Sequence, residues 1–526
     1  MTTPDTLPDD VAALRALVLT AWAERDAERA ENGRLIEERD QLAGQNDRLR
    51  HLLRQLQRMP FGRRSEKLDP DQFNLALEDL EQAIAASEAE QEKADPALRK
   101  ALSDKRRLGR GRLPDHLPRV EIVIAPEDTT CPCCGGAMHV IGEDCSQRLD
   151  VIPAQYRVIV TRRPKYACRA CQEAVVQAPA RLIEGGLPTE RLVAQVVVAK
   201  YADHCPLYRQ AQILARQGIA IDRATLAFWV GYAAAEIKPL WRRLRDELLS
   251  STKLFVDETT APVLDPGRGR TKKGYFWVLA RDDRPWRGGA PPAVVYSYAP
   301  GRSGEHAVRL LQGYTGVLQT DGYAAYRSLA DPKRAGGPAT LAFCWAHWRR
   351  QWFDIAKSPP APTATEALKR IAELYEIEDE IRGNSADERR AVRQQKTKPL
   401  AEALRAWLEK TLAQVAAGSS IAQAIRYALN RWDGLVRFLD DGRIEIDSNT
   451  VERAMRPIAL SRKNALFAGS DEGAENWAML ASLIESCKLH GVNPEAYLTD
   501  VLTKLVNNWP NSRIAALTPW GWATAL

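Results

Sequence analysis

The sequence predicts a multidomain α+β protein. It reads as an RNase H-like α/β catalytic domain with a helical insertion, preceded by an N-terminal coiled coil, a zinc ribbon and a helix-turn-helix. Three observations predict it. Strand-like runs dominate 251–350 (KLFVDE, YFWVLAR, AVVYSYA, GVLQTD, TLAFCWA), with one helix-like segment, HAVRLLQGY, between the third and fourth. Two of these runs end in aspartates, Asp257 and Asp321, and a third acid, Glu452, lies in a distant helix-like segment. Upstream, two C-x-x-C pairs flank a β-like stretch.

Residues 1–60 are expected to form a coiled-coil helix. Leu14, Ala21, Glu28, Leu35, Leu42, Leu49 and Leu56 recur every seven positions, beside the more polar series Val11, Val18, Arg25, Asn32, Arg39, Asn46 and Leu53. Such heptads favour self-association, and asparagine at a core position selects register at some cost in stability. After Pro60, residues 61–119 hold the further breakers Gly62 and Pro70, then an acidic helix near 71–95 and a basic linker. That linker carries Lys100, Lys105, Arg106, Arg107, Arg110, Arg112 and Arg119 among glycines and prolines, and is expected to be extended and attracted to phosphates.

Residues 120–182 are expected to bind zinc, and 183–250 to hold the helix-turn-helix. The catalytic core occupies 251–350, is interrupted by helices over 351–440 and resumes with the glutamate helix over 441–490. A tryptophan-bearing C-terminal region, 491–526, follows, whose tryptophans are expected to be buried in a core or interface.

Whole-chain properties bound the function. At 526 residues the chain is long enough for roughly three or four domains. A net charge of +6 permits an anionic partner without demonstrating one. The N-terminus, MTTPDTLPDD, is acidic and polar, unlike a secretory signal, and no run approaches the ~20 apolar residues of a membrane span. Nine cysteines, an odd number, argue against a disulfide framework and for a reducing cytoplasm.

Cys131, Cys134, Cys168 and Cys171 form the spacing C-x2-C…C-x2-C, which suits a closed tetrahedral Zn²⁺ site. Cys133 is an alternative ligand, and His139 reads as an ordinary surface histidine. About sixty residues with few large apolar side chains make a poor core alone, so zinc is expected to be a folding device. Arg162, Arg163 and Lys165 put positive charge on this ribbon, suited to phosphates or simply to solvent.

CPLYRQAQILARQGIAIDRATLAFWVGYAA predicts one helix over about Tyr208–Gln217, a break at Gly218, and a second helix capped by Asp222. Leu214, Ile219, Leu226 and Val230 would be the seam, with Arg223, Thr225 and Arg209 facing outward. In DNA-binding pairs the second helix enters the major groove, though such pairs are also common packing units.

Asp257 in FVDETT and Asp321 in LQTDGYAAY stand at strand ends before small residues, where a metal and a phosphate can approach the backbone. In IDSNTVERAMRPIAL the N-cap is Asp447 or Ser448, and Pro457 is expected to end the helix. Asn449 and Arg456 share a face with Glu452, and Arg462, Lys463 and Asn464 follow as candidates to hold a nucleic-acid strand. Three carboxylates suffice for hard, hydrated Mg²⁺ (or Mn²⁺), and two such ions about 3.5–4 Å apart serve phosphodiester chemistry. Cys344 and His347 offer two ligands, which do not make a site; a structural role is expected, with a phosphate contact by His347 as the minor reading.

These motifs together resemble the insertion-sequence-66 family of DDE-type bacterial transposases. The resemblance rests on FGRRSEKLDPDQ, CPCCGG with YACRAC, KYADHCPLYRQAQILARQG, VDETT, QTDGYAAY, CWAH and DSNTVERAMRPIALSRKNALFAGSDEG with SLIESCKLHGVNPEAYL. It implies an RNase H-like domain with a helical insertion and Asp257, Asp321 and Glu452 as the metal-binding triad. It also implies a zinc-binding domain, recognition of terminal inverted repeats, and companion proteins from the same element. Ser448 stands where a second asparagine is frequent, and Trp348 and Trp352 are unusual around CWAH. The expected activity is cleavage at element ends and joining of the 3′-hydroxyls to target DNA. It would need at least a dimer, in the bacterial cytoplasm with the nucleoid and without a membrane. The rival expectation is a zinc-containing DNA-binding regulator without strand transfer.

Overall fold

The computed structural model describes residues 10–58, 70–109, 111–115, 117–126, 128–152, 155–170, 174–175, 180–265, 268–358 and 360–524. α1 (Val11–Arg58) is a single 48-residue helix, as the heptads require. Leu17, Val18, Trp22 and Ile36 stand exposed on it. Near its end Arg50 reaches Glu88 of α2 (Pro70–Ala94) at 2.7 Å.

α2 is not the solvated acidic helix its composition suggests. Leu80, Ala83, Ala85 and Ala89 are buried, and so are Glu78, Asp79 and Glu92. Each of these acids has a partner. Glu78 accepts the N–H groups of Leu207 and Tyr208 at 3.1 and 2.6 Å, and Asp79 accepts that of Gly469 at 2.7 Å. Lys200 Nζ lies 3.5 Å from Glu78 and 3.7 Å from Asp79.

The basic linker corrects an expectation. Residues Pro96–Gly109 form α3, an α-helix rather than an extended strap. Asp95 caps it by accepting the N–H groups of Ala97 and Leu98 at 2.9 and 3.1 Å, and Pro96 suits its first position. The glycine breakers come only where the helix ends.

The cysteine region is a sheet of order β1–β3–β2, formed by β1 (Arg119–Val123), β2 (His139–Ile152) and β3 (Gln155–Ala167), with β4 (Ala174–Val175) also on β3. β2 and β3 make a long antiparallel hairpin, while β1 joins β3 in parallel. Next come α4 (Glu190–Tyr201), α5 (Leu207–Arg216) and α6 (Arg223–Leu249). Glu78 serves as the cap that Pro206 cannot supply to α5. Asp222 caps α6 through the N–H of Thr225, and Leu214, Ile219, Leu226 and Val230 are buried as the predicted seam. α6 runs hard against α2: a Cβ at Gly231 would lie 2.2 Å from Gln82 O.

β5 (Lys253–Asp265), β6 (Arg270–Arg281), β7 (Ala293–Ala299), α7 (Gly304–Leu310), β8 (Val317–Thr320) and β9 (Thr340–Phe343) follow the predicted order. They form a five-stranded sheet, β7–β6–β5–β8–β9, in which β5, β8 and β9 are parallel and β6 and β7 antiparallel. α8 (Trp345–Ala356) leads into the insertion helices α9 (Pro362–Ile381), α10 (Ala386–Val392), α11 (Lys398–Leu412), α12 (Ser420–Leu429) and α13 (Trp432–Leu435). These build a second core in which Trp345, Trp348 and Trp352 are fully buried. Trp345 and Trp348 donate their indole N–H groups to Leu435 O and Ala424 O, both at 2.8 Å, and so tie α8 to the later insertion helices.

α14 (Asn449–Ala465), α15 (Asp471–Leu489), α16 (Pro494–Val506) and α17 (Pro519–Ala523) complete the chain. Pro457 does not end α14, contrary to the sequence reading. The carbonyl it leaves unpaired belongs to exposed Arg453, where water can take it. α15 covers edge strand β7: Ser482 and Ser486, both buried, accept the N–H groups of Tyr296 and Val294 at 2.9 and 3.2 Å. That removes a template for intermolecular strand pairing. Trp522 is buried against the main core and donates to Asp500 at 2.7 Å.

Candidate active site and metal centres

Asp257 is not at a strand end, as the sequence reading had it, but inside β5, which pairs with β6 as far as Asp265; it is 6% exposed. Its Oδ1 accepts the N–H of Glu258 at 2.7 Å. Burial, then the nearby charges of Asp321 and Glu258, and lastly Glu452, push its carboxyl up to about 8. Asp321 follows the last residue of β8, and its Oδ1 accepts the N–H of Tyr323 at 2.8 Å. Its carbonyl accepts Tyr427 Oη of α12 at 2.7 Å, so the insertion touches the site. Glu452 is in the first turn of α14. Its Oε1 lies 3.6 Å from His347 Nδ1, and its Oε2 lies 3.9 Å from Arg350.

The charges of Asp321 and Glu452 therefore both reach Asp257. The oxygens of the three acids are not drawn into one tight cluster. The ligand-type atoms that do converge with Glu452, all within 4.8 Å of one another, belong to Cys344 and His347.

Two supports escaped the sequence reading. Gln319, fully buried in β8, donates to Glu445 O and Asp447 O at 2.8 and 3.0 Å and accepts the N–H of Glu445 at 3.0 Å. It thus joins the strand of Asp321 to the segment that enters α14. Glu258 receives Arg302 at 2.6 Å and Tyr326 Oη at 2.5 Å, so this acid is neutralised in place. A buried polar residue at an apolar strand position was the available signal for Gln319; nothing local marked Arg302.

Among the support candidates, Asn449 is held by Asp447, to which its Nδ2 donates at 2.7 Å, and Arg456 and Lys463 are exposed. Arg462 turns inward onto Thr260. His347 faces Glu452, as above.

In the cysteine region Cys131 and Cys168 are buried and Cys134 is exposed, and the three sulfurs lie within 4.8 Å of one another. Cys134 Sγ and Cys168 Sγ are 3.4 Å apart. Tetrahedral zinc with ~2.3 Å sulfur bonds needs sulfurs about 3.8 Å apart, so the donor set fits zinc. Cys133 Sγ, 3.6 Å from Cys131 Sγ, remains beside the cluster, and Cys171 lies outside the described residues.

The expected DNA-facing side chains divide. Arg106 is a correction: it is turned inward, grips Glu92 at 2.6 and 3.0 Å, and donates to Glu184 O and Tyr232 Oη. The amphipathic winding of α3 takes it away from solvent. Arg223 is paired with Glu81 of α2 at 2.9 Å, and Thr225 spends its N–H on Asp222. Arg209 is exposed and leans on Tyr208. Arg162 pairs with Glu121 at 3.0 Å and Arg163 with Asp144 at 3.5 Å, while Lys165 is exposed. Exposed Arg107 and half-buried Arg163 line one cleft of about 500 Å³ between α3 and β2, with Arg112 and Arg181, which the sequence reading had not joined to them.

Comparison with known proteins agrees with this architecture. Residues 185–476 match the family described as Transposase IS66 family, and 128–172 match the zinc-finger binding domain of transposase IS66. Residues 48–122 match Transposase C of IS166 homeodomain, and 482–520 the IS66 C-terminal element. The chain is 47% identical to uncharacterized protein y4jD of Sinorhizobium fredii, over 89% of this chain and 93% of that one. It is 44% identical to y4qI of the same organism, over 98% and 97%. Among the described residues no helix is long and apolar enough to cross a membrane. A sheet carrying paired aspartates, a cysteine cluster fit for zinc and a match over more than half its length make this chain a member of the IS66 transposase family, with a zinc-binding domain.

Proposed function

We propose that the protein binds the terminal inverted repeats of an insertion sequence, cuts DNA at the element ends and joins the freed 3′-hydroxyls to target DNA. The five-stranded sheet is read as RNase H-like, and Asp257, Asp321 and Glu452 as the carboxylates that hold Mg²⁺ or Mn²⁺. The observation that carries this reading is geometric: buried Asp257 on β5 and Asp321 just past β8 lie on neighbouring parallel strands, and the charges of Asp321 and Glu452 both reach Asp257. Bound there, a pair of divalent cations would activate the attacking oxygen and stabilise the leaving one.

The chain's own residues do the positioning. The Tyr323 N–H orients Asp321, the Glu258 N–H orients Asp257, and Gln319 fixes the approach to Glu452. Exposed Arg456 and Lys463, on the helix of Glu452, would meet phosphates of the bound strand. The cleft of Arg107, Arg112, Arg163 and Arg181, with Lys165 and Arg209, supplies sequence-independent attraction to DNA. Pairing of two copies through the exposed apolar side of α1 would bring both element ends together. Companion proteins of the same element are further partners of this reading.

Labelled element ends incubated with the protein, Mg²⁺ and a target plasmid test it. Joined product is expected. Cut but unjoined ends would make it a hydrolytic nuclease, and binding alone a zinc-containing regulator.

A further inference from the structure

Cys344 and His347 come from the N-cap and first turn of α8, just beyond β9, and Glu452 from the first turn of α14. Each presents one ligand-type atom to a common point, all within 4.8 Å of one another. His347 Nδ1 and Glu452 Oε1 are closed off from solvent and have no hydrogen-bond partner. Polar atoms left in that state carry a desolvation cost that a shared cation would remove. Cys344 Sγ accepts the N–H of Ser448 at 3.2 Å, a contact that works against the burial pushing its thiol up to about 11.

The donor types select the ion. A thiolate, an imidazole and one carboxylate suit a tetrahedral, thiophilic cation, with a fourth position left for water. Mg²⁺ asks instead for six oxygens in an octahedron. His347 and Glu452 are about one-quarter exposed, so solvent reaches the open side.

We propose that Cys344, His347 and Glu452 form a second zinc site, separate from the cysteine ribbon, whose occupancy holds Glu452 away from Asp257 and Asp321 and keeps the transposase inactive. The inhibitory half rests on Glu452 being a catalytic carboxylate; the binding half does not. Binding exchanges the Cys344 thiol proton for a metal–sulfur bond and releases that proton to solvent, with no change of oxidation state.

The test uses the full chain. Metal analysis after equilibration with Zn²⁺ should give two zinc ions per wild-type chain and one in Cys344→Ser and in His347→Asn. His347→Asn, at a partly exposed position, serves if Cys344→Ser fails to fold by circular dichroism. Protein carrying one zinc and titrated with Co²⁺ should show a sulfur-to-cobalt charge-transfer band that Cys344→Ser lacks. One zinc in the wild type, or two in both variants, overturns the site. With Mg²⁺ present, Zn²⁺ should suppress end cleavage by the wild type at least tenfold, and each variant should lose that sensitivity relative to its own zinc-free rate. A second zinc without any effect on cleavage overturns the inhibitory half. A second zinc in a protein that never cuts DNA overturns the catalytic reading while the site stands.

Discussion

Asp257 and Asp321 stand in the same register on neighbouring parallel strands: Lys253 pairs with Val317, and the two aspartates lie equally far beyond that pair. Adjacent strands run about 4.8 Å apart, each aspartate lies two residues past the last pair, Phe255 with Gln319, and the charge of Asp321 is felt at Asp257. Replacing either with asparagine should therefore leave end binding intact and lower Mg²⁺-dependent cleavage by about a thousandfold or more, on the scale of losing a charge-stabilising group. Gel-shift and nicking assays on one preparation check this; nicking at the wild-type rate would refute the assignment.

Arg106 and Arg107 adjoin in sequence and should behave oppositely. Arg106→Ala strands a buried Glu92 and should destabilise the protein by roughly 3–5 kcal/mol. Arg107→Ala should leave the melting temperature unchanged, weaken DNA binding and flatten its salt dependence by about 0.9 in log–log slope. Denaturant melts and salt titrations separate the two.

Lys253 is buried, and desolvation lowers its ammonium to about 8. The unfolded chain then holds a proton that the folded chain lacks between about pH 8 and pH 10.4, so stability gained from this group rises with pH over that window. Lys253→Met, which also gives up the bond to Arg443 O, should compare best with the wild type below pH 8 and lose ground as pH climbs to 10. Denaturant titrations at several pH values give the difference; a pH-independent difference would remove the explanation.

Trp348→Ala should cost about 3–5 kcal/mol, because a large buried ring is lost and Ala424 O loses its donor. Hydrogen exchange should quicken first in α8, α9 and α12, the helices around that ring.

Stripping zinc should raise hydrogen exchange across residues 128–172 and leave the five-stranded sheet protected. Equal loss of protection in both would mean that the ribbon is not an independent metal-dependent unit.

Apolar periodicity made much of the architecture readable. The Leu214–Ile219–Leu226–Val230 seam, the Asp222 cap and the strands leading to Asp257 and Asp321 all follow from local pattern. Charge was read less well. Glu78, Asp79, Arg389 and Arg393 look like solvated residues in sequence, yet they are buried and satisfied by partners far along the chain. β2 was missed because its face carries Glu143, Asp144 and Arg148, whose value lies in pairing with arginines of β3 and with Glu190. The C-x2-H pair was set aside for want of a third ligand, and only folding supplies Glu452.

The carboxamide of Gln319 clamps both sides of a seam with three hydrogen bonds in a dry place. Sliding α14 along β8 would break all three together, at roughly 1 kcal/mol each before desolvation is counted. The helix carrying Glu452 is thus anchored, and what remains free is rotation about the glutamate's own side-chain bonds. A change of partner by Glu452 would then be a matter of its own side-chain rotamer rather than of moving the helix.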